Sequence, residues 1–320
     1  MKRKLVIAVP ELTPAQRSLI GQITAENGFQ TEFYETEEAA LPAVQDAEII
    51  FAFAPELARH APHLKWYCAS SAGVDRFTDP SLYASKDAVL TNSSGAYGIT
   101  ISEHVIMMVL EVLRRQEEYR ELIRMHEWKR GLPVRSVFDS RITLVGTGNI
   151  GQETAKRMRA FLPRRIVGVN RSGQNPGQLF DQTATMYHLE EVLRETDILV
   201  LSLPKTDATF HVLDAAKLAC LPDQALVVNV GRGSCIDQAA LVKELQNRRL
   251  WAALDVYEQE PIPKDDPIWD CPQLLMTPHV SGDLSLPKTV ELVVKQFLED
   301  FERYVRGEQL THMVDRTRGY

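Results

Sequence analysis

The sequence predicts an α/β protein built from two doubly wound parallel sheets with a cleft between them. Three observations carry this expectation. Short apolar runs alternate with helical patterns from one end of the chain to the other, as in parallel strands covered by helices. At 320 residues, 44% of them hydrophobic, the chain exceeds what one average domain uses and can fill more than one core. A glycine-rich turn lies near the middle, between a strand pattern and a helix pattern.

The first run, "KLVIAV" (4–9), follows a basic head, is too short for the core of a signal peptide and ends at Pro10 and Glu11, so it reads as a buried strand. "PAQRSLIGQITAENG" (14–28) is a helix, with Pro14 at its start and Gly28 at its stop. The runs "TEFYE", "EIIFAF", "KWYCAS" and "AVLTN" complete one small unit of strands. Residues 99–128 carry helical periodicity without Gly or Pro and read as one long helix crossing to a second unit. That unit holds "RITLVG", "RIVGVN", "DILVLSL", "ALVVNVG", "WAALDV" and "LLMTPH". The last helical pattern, 286–307, returns to the first unit. The expected division is therefore 1–98 with 287–320, and 99–286.

A net charge of −7 with scattered Lys and Arg argues against a nucleic-acid partner, and no stretch approaches membrane-spanning length. Cys68, Cys220, Cys235 and Cys271 lie far apart without C-x-x-C spacing, and read as reduced thiols of a cytoplasmic protein. His60 and His63 form H-x-x-H, but Pro62 spoils a helical metal face and no third ligand is evident, so no metal is expected.

The glycine turn is "VGTGNIG", with Gly146, Gly148 and Gly151 in G-x-G-x-x-G. The three glycines serve, in order, a tight turn, close approach of backbone to a pyrophosphate, and close packing of helix on strand. The helix start at Asn149 and Ile150 offers unpaired N–H groups and a positive dipole end to phosphate. Asn170 stands 19 residues beyond Gly151, where a dinucleotide site usually places an acid for the ribose hydroxyls, at a spacing of about 20. The acid is missing, and Arg171 and Ser172 follow. A carboxylate would repel a 2′-phosphate, whereas Arg171 can pair with one and Asn170 and Ser172 can add neutral hydrogen bonds. NADP(H) is therefore the expected cofactor, with NAD(H) second.

Three later segments end an apolar run with ionisable residues: "VVNVGRGSCIDQAAL", "ALDVYEQEPIP" and "LLMTPHVSG". Ligands of parallel sheets sit beyond the carboxyl ends of the strands, so Arg232, Glu260 and His279 are expected to share one site. An arginine can hold a carboxylate bidentately, and a histidine backed by a carboxylate can stay protonated near neutral pH and act as an acid.

In "SAGVD" (71–75), "VGTGNIG" (145–151), "LPKTDAT" (203–209), "NVGRGSCIDQAAL" (229–241), "ALDVYEQEP" (253–261) and "TPHVSG" (277–282), the chain resembles the D-specific 2-hydroxyacid dehydrogenases over nearly its whole length. The resemblance makes 1–98 with 287–320 a flavodoxin-like substrate-binding domain and 99–286 the dinucleotide-binding Rossmann domain. It implies that Arg232 binds the substrate carboxylate and polarises its carbonyl, and that Glu260 pairs with His279, which exchanges a proton with the substrate oxygen. It also implies carboxylate binding by the backbone amides of Ala72, Gly73 and Val74, and nicotinamide binding by Asp255. Pro204, Thr209 and Val230 fall on the cofactor side, and Lys205, where the family usually has an apolar residue, reads as a rim residue.

The reaction implied is exchange of a hydride between NADP(H) and a small 2-oxo acid or D-2-hydroxy acid, in the reductive direction, with glyoxylate or hydroxypyruvate as examples. The alternatives are a phosphoglycerate dehydrogenase-like enzyme and a dinucleotide-sensing corepressor on the same fold; formate dehydrogenases of this architecture carry glutamine where Glu260 stands. Glu103 and His104, on the apolar helix, read as contacts between domains and Trp128 as a packing residue; the resemblance implies a homodimer built on this helix, and the run "VIMMVLEVL" suits such burial.

Overall fold

The computed structural model describes residues 3–316 and 319. The chain divides into two compact units, Met1–Tyr97 with Asp283–Tyr320, and Gly98–Gly282. The return thus falls four residues earlier than the 286/287 boundary expected from the sequence, ahead of the loop that leads into the last helix.

The first unit is a parallel sheet in the order β2-β1-β3-β4-β5, the flavodoxin-type winding. Its elements are β1 (Arg3–Ala8), α1 (Pro14–Glu26), β2 (Phe29–Phe33), α2 (Glu37–Ala40), β3 (Ile49–Ala52), β4 (Trp66–Ala69) and β5 (Val89–Thr91). Helix α1 starts where a capping box forms, the Thr13 hydroxyl accepting from Gln16 N–H and the Gln16 side chain from Thr13 N–H. Strands β3 and β4 are buried along their whole length, which is why they read as continuous apolar runs rather than alternating ones.

The second unit opens with α3 (Gly98–Leu113) and α4 (Gln116–Arg124). These are two helices where the periodicity predicts one, because Arg115 adopts a left-handed φ of 57°. Its guanidinium bonds Glu118 three residues on and lies 4.7 Å from the ring of Trp251, a partner that only the folded chain brings near. There follow β6 (Arg141–Val145), α5 (Asn149–Arg159), β7 (Arg165–Asn170), β8 (Gln182–Thr185), α6 (Leu189–Leu193) and β9 (Ile198–Leu201). The unit closes with α7 (Ala215–Cys220), β10 (Leu226–Asn229), α8 (Gln238–Gln246), β11 (Trp251–Leu254) and β12 (Leu274–Met276). All seven strands run parallel in the order β12-β11-β10-β9-β6-β7-β8, which reverses at β6. Edge strand β8, "QTAT", gives no strand signal in the sequence because it carries no apolar run and is nowhere fully buried. The chain returns to the first unit through α9 (Pro287–Arg306), whose Phe297 stacks on Phe51 at 4.4 Å and on Trp66 at 5.5 Å.

Candidate active site

Register sets the site in the second unit. Val145 pairs with Val169 and Leu201, Leu201 with Asn229, Asn229 with Leu254, and Leu254 with Met276. The next residue of each strand therefore forms a row along the carboxyl edge: Asn170, Gly146, Ser202, Val230, Asp255 and Thr277. Both sequence constellations, the glycine turn and the ionisable segments, grow from that row.

At the glycine turn, Gly146 has φ +102°, and a Cβ there would sit 2.8 Å from the Ser202 carbonyl oxygen. A Cβ on Gly151 would lie 2.1 Å from the Gly146 carbonyl oxygen, so helix and strand touch backbone to backbone. Gly148 is different: a Cβ would meet nothing within 4 Å. Whereas α7 and α8 are capped by Asp214 and Asp237, α5 begins at Gly148 without a side-chain cap. Its first amides thus stay open beside empty space, and this fits a dinucleotide pyrophosphate.

Asn170 ends β7 as an organiser of the following loop. Its Nδ2 donates to Thr147 Oγ1 at 2.9 Å and to the Gln174 carbonyl at 2.8 Å. Its Oδ1 accepts from Ser172 N–H at 3.0 Å and Gly173 N–H at 2.7 Å, and from the Ser172 hydroxyl at 3.1 Å. The loop so shaped carries Arg171 and Ser172 on the surface. On the neighbouring loop the Thr209 hydroxyl donates to the Pro204 carbonyl at 2.7 Å, Pro204 and Lys205 are exposed, and Val230 is buried.

The ionisable trio comes together. His279 Nδ1 and Glu260 Oε2 are 2.7 Å apart, and Glu260 Oε1 accepts Tyr257 N–H at 2.9 Å. Arg232, half-buried, donates to the Gly231 carbonyl at 2.8 Å, and its charge is felt by both Glu260 and His279. A Cβ on Gly233 would lie 1.9 Å from the Tyr257 carbonyl carbon, so the arginine loop packs directly on the loop leading to Glu260. The bond from Glu260 raises the His279 pKa above its ordinary 6.5 against burial and the charge of Arg232. Burial alone would raise Glu260, but bonds from His279 and the Tyr257 amide, with the charges of His279 and Arg232, hold it below its ordinary 4.5. The pair therefore favours imidazolium beside carboxylate, an acid ready to protonate an oxygen.

His279 sits at φ +55°, a conformation that costs a residue with a Cβ roughly 1–2 kcal/mol and persists only where the surroundings impose it. Asp255 imposes it. Wholly buried, it accepts Thr277 Oγ1–H at 2.6 Å and Val280 N–H at 2.9 Å on Oδ1, and Ser281 N–H at 3.0 Å on Oδ2. The family resemblance puts Asp255 on the nicotinamide; in the structure its carboxylate is shut from solvent and fastens the loop that carries His279.

His104 and Glu103 find partners inside the second unit, His104 at Thr277 Oγ1 (3.1 Å) and Glu103 at Arg157 (3.7 Å). Nothing in their spacing signals this, since His104 and Thr277 come together only through the fold. In the first unit, the loop after β4 has its carbonyls engaged: Ser71 by Ser93 N–H, Ala72 by Asn92 Nδ2, Gly73 by the Ser71 hydroxyl and Val74 by Phe77 N–H. Among the described residues, the amides of Ala72, Gly73 and Val74 have no protein acceptor.

Residues 106–281 match the family described as D-isomer specific 2-hydroxyacid dehydrogenase, NAD binding domain. A glyoxylate/hydroxypyruvate reductase B of Serratia proteamaculans is 30% identical over 230 residues, 70% of each chain. A crystal structure of a D-isomer specific 2-hydroxyacid dehydrogenase family protein from Aeromonas salmonicida aligns with TM-score 0.87 and 30% identity, covering 99% of this chain and 100% of that one. An NADPH-dependent glyoxylate/hydroxypyruvate reductase of Sinorhizobium meliloti, solved with NADP and sulfate, aligns with TM-score 0.81 and 26% identity over the whole of both chains.

Proposed function

The chain belongs to the D-isomer specific 2-hydroxyacid dehydrogenase family, and on that premise we propose that it reduces small 2-oxo acids of the glyoxylate and hydroxypyruvate class to D-2-hydroxy acids, with NADPH preferred over NADH. The observation carrying the proposal is the convergence of Arg232, Glu260 and His279 on one strand edge beside an uncapped glycine turn.

NADPH, when bound, supplies the hydride. Gly146, Gly148, Asn149, Ile150 and Gly151 would hold its pyrophosphate through backbone amides. Asn170 shapes the loop on which Arg171 and Ser172 would meet the 2′-phosphate, and Pro204, Thr209 and Val230 would line the remaining cofactor side. Arg232 grips the substrate carboxylate and stabilises negative charge growing on the carbonyl oxygen, and the amides of Ala72, Gly73 and Val74, which have no protein acceptor among the described residues, are carboxylate donors in this reading. His279 gives its proton to that oxygen, and Glu260 holds the ring in its protonated form and orientation. Asp255 fastens the 277–281 loop, and in this reading it also orients the nicotinamide.

The protein is further proposed to be a cytoplasmic homodimer. Four cysteines without a disulfide suit a reducing compartment. The second unit exposes the large apolar side chains of Met107, Ile123, Met125, Trp128 and Phe138, which a partner subunit would cover.

Steady-state kinetics with NADPH and NADH against a panel of 2-oxo acids tests the assignment. The expected result is turnover of small oxo acids and a kcat/KM favouring NADPH by roughly tenfold or more, the worth of one charge-assisted hydrogen bond. A preference for NADH overturns the cofactor assignment. Tight NADPH binding without oxidation by any oxo acid overturns the enzymatic one in favour of a sensor.

A further inference from the structure

The loop carrying His279 is clasped from two directions. Below it, Asp255 bonds to Thr277 on one side of the histidine and to Val280 and Ser281 on the other. From the side, α3 reaches the same two ends: Thr100 Oγ1 donates to the Ser281 carbonyl at 3.3 Å, and His104 Nε2 lies 3.1 Å from Thr277 Oγ1. Thr100 and His104 are four residues apart, one above the other on a single helix face. That helix is anchored by the buried Ile101, Val105, Met108 and Val109, so the clasp has a rigid base.

The hydroxyl of Thr277 has one proton, and the 2.6 Å bond to Asp255 uses it. The contact with His104 is therefore one in which the ring donates, from a protonated Nε2 to a lone pair of the threonine oxygen. A hydroxyl that accepts such a bond becomes a stronger donor in turn, so the chain His104, Thr277, Asp255 tightens as a unit. The charged groups near His104 are Asp255, 3.8 Å away, and Glu111 on its own helix; burial outweighs both and keeps the ring neutral by lowering its pKa.

We propose that His104 is a positioning residue for the catalytic histidine: through Thr277 and Asp255 it holds the 277–281 backbone in the conformation that sets His279 against Glu260. The proposal rests on the functional reading above, in which His279 is the proton donor, and it assigns His104 no contact with substrate or cofactor.

The test compares His104→Leu, His104→Gln and Thr277→Val in the full-length enzyme, reading kcat, KM and the NMR titration of the His279 ring. His104→Leu is expected to lower kcat roughly ten- to hundredfold, the cost of misplacing a catalytic group, and to move the His279 midpoint downward. His104→Gln, which keeps an N–H donor, is expected to restore both. The double variant with Thr277→Val is expected to be no worse than the more affected single variant, because one chain is cut once. An unchanged His279 midpoint and kcat in His104→Leu overturns the proposal, as do additive losses in the double variant. Should His104→Leu not fold, Thr277→Val carries the test alone, and an unmoved midpoint there is equally contrary. The titration needs no turnover, so a wild-type protein inert toward every oxo acid defeats the functional reading while leaving this one separately testable.

Discussion

Glu260 and His279 displace each other's protonation equilibria in opposite directions, and the displacement defines a pH window. The His279 pKa is raised above 6.5, so its contribution to folded-state stability is complete below 6.5 and lost as pH rises through the raised value. Glu260 is lowered below 4.5, so its contribution is present above 4.5 and lost as pH falls through the lowered value. Between those limits the ion pair is intact. Both side chains are partly open to solvent, 47% and 35% exposed, so the pair serves protonation more than stability. Replacing His279 by Ala is expected to lower kcat by about 100-fold or more with little change in Tm; near-normal turnover would remove the residue from the chemistry. Arg232→Gln is expected to raise KM for the oxo acid and lower kcat together, since in the proposed mechanism one guanidinium serves the carboxylate and the developing oxygen charge; a variant changed in neither contradicts that role.

Among the elements, the turn between β6 and α5 and the loop after β7 are the ones the proposed function assigns to the cofactor. A Cβ on Gly151 would press 2.1 Å from a backbone oxygen that cannot swing aside. Gly151→Ala is therefore expected to cost about 1–3 kcal/mol of stability and to weaken NADPH binding, as read by denaturant unfolding and calorimetry; wild-type values for both would mean the helix can move. In the loop after β7, Arg171→Ala is expected to erode the NADPH preference, whereas Asn170→Asp is expected to weaken both cofactors. An aspartate there has no N–H to give Thr147 Oγ1 or the Gln174 carbonyl, so the loop itself would loosen. The glycine spacing is legible in the sequence because Gly146 and Gly151 answer local backbone needs and Gly148 leaves the helix start open. The organising role of Asn170 is not, since its partners Thr147 and Gln174 are set by the turn and the loop closing on it. The break at Arg115 is hidden for a similar reason: local periodicity continues through it, and the Trp251 ring that its guanidinium meets lies far along the chain.

For the whole molecule, the alternation of apolar runs and helices is enough to foresee two parallel sheets, because buried parallel strands must be apolar along their length. The proposed catalytic trio is legible as three strand-end motifs, yet the support beneath it, Asp255 turned inward and His104 reaching Thr277, depends on register between distant segments and leaves no pattern to read. The exposed apolar residues of the second unit include Met107, beside a groove of about 480 Å³ between α3 and α5 that Ile106, Ala160 and Phe161 also line. Sedimentation is expected to show a dimer, shifted toward monomer by Met107→Glu; a monomer at micromolar concentration would contradict that assignment. Catalysis as proposed turns on one proton held at His279 by Glu260, and its most direct test is the pH dependence of kcat/KM for oxo-acid reduction in the wild type beside Glu260→Gln. The expected result is a wild-type profile that falls only above pH 6.5 and a Glu260→Gln profile that falls at lower pH with a reduced plateau. Superimposable profiles would show that the carboxylate does not govern the proton, and would contradict the mechanism.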